Sequence, residues 1–301
     1  MTKWIAVVSA LALCSIQQAP PPTEIYLAGL STPDGRLTMA KPENISNSPG
    51  YDNQPFFTPD GAALLFTSAR GVVKSSCSSP QTDIYRYDVA SRAVAQVTDT
   101  PECEYSPTVT PDGGISVIRV EADGTQRLWR FSRDGKNPAL VVADIKPVGY
   151  HAWLDEKTLA LFVLGQPATL QIARTGTGQG EIVARNIGQS IVRMPGGGAS
   201  FVQQDGTGAD RTLAVTQVTV ENGKPVTKRL TTGVTGATQA HLAWMPDGTL
   251  LMAHDGWLHA WRNGASTWDR IADLGALGLR NVTRLAVSPK GDRIAVVAAP
   301  Q

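Results

Sequence analysis

The chain has 301 residues, of which 42% are hydrophobic and 18% are charged, and its formal net charge is +1. So high an apolar fraction with so little net charge excludes a disordered chain. The near-neutral balance argues against a protein that holds nucleic acid by neutralising phosphates. The 29 glycines and 20 prolines indicate many turns, and the length is ample for a large buried core.

The first residues are typical of an export signal. Lys3 supplies a positive charge, and residues 5–13 form an apolar run that is too short to span a bilayer but matches the core of a signal peptide. We therefore assign 1–22 to a signal peptide and short linker, and 23–301 to a single domain in the bacterial periplasm. No other segment is apolar enough to span a membrane, so we expect membrane contact only through an N-terminal lipid anchor.

Two processing routes remain open, and they bear on the cysteines. Cys14 follows Leu-Ala-Leu, so it is a candidate lipidated first residue of an outer-membrane lipoprotein, whereas cleavage near Ala19 releases a soluble protein. Either route leaves Cys77 and Cys103. An even pair in an oxidising compartment favours a disulfide over a metal site.

A repeat organises the rest of the chain. Each unit has a short strand, a turn of the Pro-Asp-Gly type and an apolar returning strand, followed by two further strand candidates. In such a turn, proline fixes φ, aspartate bonds its own backbone and glycine accepts a positive φ. The units recur at a mean spacing of about 46 residues, which is typical of four-stranded propeller blades. The six turns are anchored at Pro59, Pro111, Asp155, Pro195, Pro246 and Pro289.

The two ends of the chain complete one blade. After Pro289 only one strand candidate remains, over residues 293–298, while residues 23–28 and 35–40 supply two more before the first unit. Joining them closes the ring and removes exposed sheet edges. The sequence therefore predicts an all-β, six-bladed β-propeller of four-stranded antiparallel blades, with the last blade closed by N-terminal strands. We expect little helix and a monomer.

The repeat motif resembles a known family. A proline, an aromatic residue, Thr-Pro-Asp-Gly, an apolar strand and then Asp-Ile-Tyr run from Pro55 to Tyr85. This pattern resembles the TolB-like, WD40-like propeller repeat of bacterial periplasmic proteins, and it covers nearly everything after the signal segment. The resemblance implies a propeller in the cell envelope, without the α/β domain that precedes the propeller in TolB itself.

In propellers of this kind the innermost strands start at the top face, where polar residues of the aligned units surround the central channel. These are Asp52, Asn53, Gln54, Glu104, Tyr105, Ser106, Tyr150, His151, Gln189, Ser190, Gln239, His241, Asn281 and Arg284. One interpretation is a mouth that binds a ligand or peptide, and the other is a channel that is merely wet and polar. The same topology brings the loops of Cys77 and Cys103 side by side on this face. Four tryptophans, Trp129, Trp153, Trp244 and Trp261, are predicted to pack between blades.

Enzyme motifs are absent from the sequence, including G-x-S-x-G, H-E-x-x-H, C-x-x-C and a phosphate loop. We therefore assign no catalytic residue, metal or cofactor. The sequence predicts a non-enzymatic binding propeller that recognises an envelope protein or peptide through the top face of its channel. The alternative is a small-molecule lyase or hydrolase that uses His151 and His241 with the carboxylate of Asp52 or Glu104, with or without a metal.

Overall fold

The turns of the repeat reverse the chain as their residue types require. In the first unit Thr58 Oγ1 donates to Asp60 Oδ1 at 2.6 Å, and Gly61 has a φ of 70°. The backbone N–H of Gly61 donates to Thr58 O at 2.8 Å. Only glycine adopts that φ without strain, so the hydroxyl, the carboxylate and the glycine together close the turn. The last unit repeats the backbone bond, from Gly291 N to Ser288 O at 2.8 Å.

The computed structural model describes residues 20–71, 81–176, 178–206 and 211–301. The chain enters through β1 (Glu24–Ser31), a 3₁₀ turn (Pro33–Gly35), β2 (Thr38–Met39) and β3 (Glu43–Asn44). Five antiparallel blades of four strands follow, each running from its inner to its outer strand. Blade 1 has β4 (Asp52–Phe57), β5 (Ala63–Ser68), β6 (Asp83–Asp88) and β7 (Val94–Gln96). Blade 2 has β8 (Cys103–Val109), β9 (Ile115–Val120), β10 (Gln126–Phe131) and β11 (Ala139–Leu140). Blade 3 has β12 (Val148–Trp153), β13 (Thr158–Val163), β14 (Thr169–Arg174) and β15 (Gly180–Arg185). Blade 4 has β16 (Ile187–Arg193), β17 (Ala199–Asp205), β18 (Thr212–Glu221) and β19 (Lys224–Thr232). Blade 5 has β20 (Leu242–Trp244), β21 (Leu250–His254), β22 (Trp257–Trp261) and β23 (Asp269–Asp273).

Blade 6 joins the two ends of the chain, which confirms the predicted closure. Its inner strands are β24 (Arg284–Val287) and β25 (Arg293–Ala298), and β1 pairs antiparallel with β25. The outer strand predicted over residues 35–40 is instead split, because β2 and β3 both pair with β1. Pro42 lies between them, and a proline cannot donate to the ladder.

Among the residues that the structure describes, six buried apolar clusters hold the blades together, one in each seam. All four tryptophans pack in or against these clusters, as predicted. Two of them also form hydrogen bonds across a seam. Trp153 Nε1 donates to Ser116 Oγ at 2.9 Å, and Trp244 Nε1 donates to Ser200 Oγ at 2.8 Å. Each bond ties the inner strand of one blade to the second strand of the preceding blade.

The inner strands of neighbouring blades contact one another around the whole ring, including β24 with β4. The inner strands therefore surround a central channel, and the first residues of these strands lie at its mouth. Across the described ranges, the 3₁₀ turn is the only helical element. Within those ranges, no helix has the length and apolar character to cross a membrane.

Candidate functional site

Tyrosines from three blades meet where the inner strands begin. The rings of Tyr51 and Tyr105 lie edge to face with centroids 6.4 Å apart. Burial is the main cause that raises the pKa of the Tyr51 phenol, followed by the nearby Tyr150, while the Arg284 charge lowers it. Tyr51 was not among the residues predicted from the sequence. Its position immediately before Asp52, at the start of an inner strand, is the signal that could have identified it.

Arg284 crosses the channel mouth. It starts β24 of blade 6, and its Nη2 donates to the hydroxyl of Tyr150 in blade 3 at 2.6 Å. The guanidinium carbon also lies 4.9 Å from the centroid of that ring, a cation–π distance. Blades 6 and 3 are opposite each other in a six-membered ring, so this contact spans the channel.

His241 of the blade 5 strand start is the third member of this group. Arg284 Nη1 donates to His241 Nδ1 at 3.2 Å and to Thr283 O at 3.0 Å. Burial, followed by the positive charge of Arg284, lowers the pKa of His241 to about 4. The imidazole is therefore neutral at physiological pH. The structure thus brings Tyr150, His241 and Arg284 together, three of the residues predicted for the top face.

A pocket of about 540 Å³ opens beside His241 between blades 5 and 6. Its lining combines polar side chains with apolar ones such as Leu274 and Val282; the polar ones include Gln239, His254, Asp255, Arg280 and Asn281. Gln239 and Asn281 were both predicted for the top face and are exposed, as is Gln189 at the start of β16. Ser190 lies beside it, and its hydroxyl accepts a bond from the Leu242 N–H at 3.4 Å.

The predicted carboxylates occupy a different environment. Asp52 and Glu104 are 1% and 0% exposed, and each is paired with an arginine of its own blade. Arg70 Nη2 lies 3.2 Å from Asp52 Oδ2, and Arg119 Nη2 lies 3.1 Å from Glu104 Oε1. Burial raises the pKa of both carboxyl groups, and hydrogen bonds and the arginine charges oppose part of that rise. These two side chains therefore serve the fold rather than the channel surface.

Each of these arginines also stacks on two aromatic rings of its blade. The guanidinium of Arg70 is 5.3 Å and 5.2 Å from the ring centroids of Phe66 and Tyr85. That of Arg119 is 4.7 Å and 5.1 Å from the rings of Trp129 and Phe131. Blades 1 and 2 thus contain the same arrangement, in which a buried carboxylate pairs with an arginine that stacks on two aromatic rings.

Asn53 and Gln54 also form bonds within the fold. Gln54 Oε1 accepts from Thr67 Oγ1 at 2.8 Å and from the Ser106 N–H at 2.9 Å, which links blades 1 and 2. Gln54 and Ser106 have φ values of 56° and 53°, at bulges in β4 and β8. Asn53 Nδ2 donates to Thr23 Oγ1 at 3.3 Å. The bulges turn these side chains toward the neighbouring strand.

His151 lies in the seam between blades 2 and 3. Its Nε2 is 2.9 Å from Thr108 Oγ1 and 2.8 Å from Ser116 Oγ, while its buried Nδ1 has no hydrogen-bond partner within the described ranges. Burial lowers its pKa to about 3. His151 therefore faces a seam, whereas His241 contacts Arg284 at the channel mouth. Among the residues that the structure describes, no group of three or more His, Cys, Asp and Glu side chains is close enough to hold a metal ion.

Several predictions fall on residues outside the described ranges. The signal segment, including Cys14 and Ala19, lies outside them, and so does Cys77. Cys103 is the buried first residue of β8. The disulfide between Cys77 and Cys103 and the lipidation of Cys14 both stay predictions.

No family model matches the sequence, but solved structures share its fold. A TolB candidate from Agrobacterium tumefaciens has a TM-score of 0.65 at 15% identity, over 93% of this chain and 99% of that one. TolB from Acinetobacter baumannii has a TM-score of 0.56 at 12% identity over 92% of this chain, which spans only 64% of that protein. An oligogalacturonate lyase in complex with manganese has a TM-score of 0.56 at 13% identity, over 88% of this chain and 82% of that one. At these identities the likeness shows the fold alone: a TolB-like six-bladed β-propeller.

Proposed function

We propose that this TolB-like propeller is an exported, non-enzymatic binding protein that recognises an envelope protein, or a peptide segment of one, through the top face of its channel. The observation that carries the proposal is the convergence of Tyr150, His241 and Arg284 from three blades at the channel mouth. Aromatic rings and an arginine are the side chains that dominate protein recognition. They are held by six rigid blades, so the surface is organised before any partner arrives.

The chemistry of the described residues favours binding over the lyase or hydrolase alternative. That alternative needs His151 and His241 to act with the carboxylate of Asp52 or Glu104. His151 is bonded within a seam, and both carboxylates are paired with arginines away from solvent. The lyase with a similar fold shows that a propeller of this shape also supports catalysis, but fold does not imply function.

Photo-crosslinking in living cells tests the proposal. A photoreactive amino acid replaces Gln189 or Gln239, both exposed on the top face, and Lys290 or Glu156, both exposed at turns on the opposite face, serve as matched controls. We expect a discrete adduct with another envelope protein from the top positions and none from the controls. Equal labelling from both faces, or no adduct at the top, would overturn the proposed function.

A further inference from the structure

The arginines around the channel mouth differ in their partners. Arg70 and Arg119 are each paired with a buried carboxylate. Arg284 has no carboxylate partner anywhere in the described part of the chain. Its hydrogen bonds go to the Thr283 carbonyl, the His241 imidazole and the Tyr150 hydroxyl, all of which are neutral acceptors. The fold therefore holds a full positive charge at the mouth without neutralising it.

The donor count shows that this charge is also available. A guanidinium carries five N–H donors. Arg284 uses both donors of Nη1 and one of Nη2 within the protein. One donor on Nη2 and one on Nε remain unused by the described residues. A carboxylate accepts two parallel N–H bonds from an arginine, and such charge-assisted pairs are stronger than neutral hydrogen bonds.

His241 adds a third donor beside Arg284. A guanidinium has no acceptor, so the short contact requires Nδ1 of His241 to accept. The proton of the neutral imidazole must then sit on Nε2. His241 also lines the 540 Å³ pocket, together with the exposed Asn281 amide, Arg280 and one carboxylate, that of Asp255. The surroundings of Arg284 thus offer donors next to a cavity that is large enough for a side chain or a chain end.

We propose that Arg284, held in position by its hydrogen bonds to Tyr150 and His241, binds a carboxylate of the bound protein segment. This inference rests on the proposed function and specifies the chemistry of the partner. An arginine fixed in position matches the planar geometry of a carboxylate better than a lysine would. An aspartate or glutamate side chain and a free C-terminus present the same group, and the experiment distinguishes these two sources.

The probe is a synthetic bead library of random octapeptides, half of them free acids at the C-terminus and half amides. Selected peptides are resynthesised with each Asp or Glu replaced by its amide and with the other C-terminal form. Their affinities are measured by fluorescence anisotropy. We expect neutralising one carboxylate to weaken binding to the wild-type protein by about tenfold or more. A loss on Asp or Glu substitution identifies a side chain, and a loss on amidation identifies the C-terminus.

Variants assign the effect to Arg284. In Arg284→Gln the acid and amide forms of a peptide should bind equally, and Arg284→Lys should restore only part of the difference. Arg293→Gln, at the far end of the same blade, is the matched control and should retain the full difference. Should Arg284→Gln fail to fold, Tyr150→Phe removes one of these hydrogen bonds to Arg284 and should reduce the same acid-to-amide ratio.

The outcomes separate this inference from the proposed function. Peptides that compete with top-face crosslinking but bind equally well as neutral analogues would overturn the carboxylate binding and leave the proposed function standing. A preference for acids that persists in Arg284→Gln would overturn the assignment to Arg284. Failure to select any peptide, together with no crosslinked partner, would overturn both.

Discussion

Two sides of the channel mouth use charge in different ways. On blades 1 and 2, Asp52 and Glu104 are buried against Arg70 and Arg119, so acid and base neutralise each other inside the fold. On the other side, Arg284 reaches from blade 6 to Tyr150 of blade 3 and meets only neutral acceptors within the described ranges.

The difference shows that position in the repeat does not by itself give a residue its role. Asp52, Glu104 and Arg284 all lie at or near the starts of inner strands. Glu104 lies directly opposite Arg119 in the register of β8 and β9, so a cross-strand pair forms inside one blade. Arg284 lies opposite Val297 in blade 6, an apolar residue that offers it no carboxylate. For Glu104 and Arg284, the cross-strand partner therefore separates a charge that is paired inside its blade from one that is not.

The largest difference between the two sides is expected when one arginine is removed from each. Arg119→Met leaves Glu104 buried without its partner and should lower the free energy of unfolding by about 3–5 kcal/mol. Arg284→Met should lower it by less than about 1 kcal/mol, because its partners are neutral and Arg284 is only half-buried. Urea unfolding followed by tryptophan fluorescence measures both.

The double variant Glu104→Leu with Arg119→Met is the control for that pair of measurements. Replacing a whole buried ion pair by apolar side chains is often nearly neutral, so most of the lost stability should return. Equal losses in Arg119→Met and Arg284→Met would contradict the distinction between the two sides.

A pH titration distinguishes the two histidines of the predicted site. The pKa of His151 is about 3 in the folded protein because of burial, against about 6.5 in an unfolded chain. The unfolded chain therefore binds the extra proton, so this contribution to stability is complete above pH 6.5 and is lost as the pH falls toward 3. Each buried histidine should cost about 1.4 kcal/mol per pH unit in that range.

Denaturant unfolding between pH 4.5 and 7 compares the wild type with His151→Gln. The variant should lose less stability on acidification than the wild type. The difference should be the contribution of one buried histidine, about 1.4 kcal/mol per pH unit. Parallel pH profiles would mean that His151 gains its proton in the folded state. Nuclear magnetic resonance of the imidazole provides an independent check. In Arg284→Met the same method should show a higher pKa for His241, because a repelling charge has been removed.

The last expected difference is between two seams that each contain a hydrogen bond from a tryptophan indole to a serine hydroxyl. Trp244→Phe deprives the buried Ser200 hydroxyl of its indole donor and should cost about 1–2 kcal/mol. Trp153→Phe should cost less, because Ser116 keeps His151 and Thr108 as partners. Thermal unfolding of the two variants, each with the matching Ser→Ala change as a double-mutant cycle, measures the coupling. A larger coupling for Trp153 than for Trp244 would contradict the expectation.

Most of the fold could be predicted because the turns that define the blades are formed by residues close together in sequence. Thr58, Asp60 and Gly61 form their turn through contacts within four residues. The number of such turns predicted the number of blades. The lack of outer-strand candidates after Pro289 predicted that N-terminal strands complete the last blade. The division of the outer strand into β2 and β3 could not be predicted with the same certainty, since it depends on how the chain around Pro42 meets β1.

The candidate site was predicted only as a face. Tyr150, His241 and Arg284 do converge there, but Asp52, Glu104, Asn53, Gln54 and His151 form bonds within the fold instead. Their polarity is the same in both groups, and the difference lies in the register and bulges that aim each side chain. Tyr51 was missed because an aromatic residue at a strand start is equally typical of core packing.

The architecture of this protein follows from its sequence alone: six antiparallel blades, their turns and the joining of the two chain ends. Those features follow from apolar periodicity and from the backbone preferences of Pro, Asp and Gly, which act over a few residues. Which polar residues remain exposed to a partner depends instead on how the strands and blades pack. Neutralising Asp52 and Glu104 depends on the arginines placed beside them, and positioning Arg284 depends on a hydroxyl and an imidazole from other blades. The pairs of Asp52 and Glu104 form within single blades, whereas the contacts of Arg284 with other blades exist only after the ring has closed.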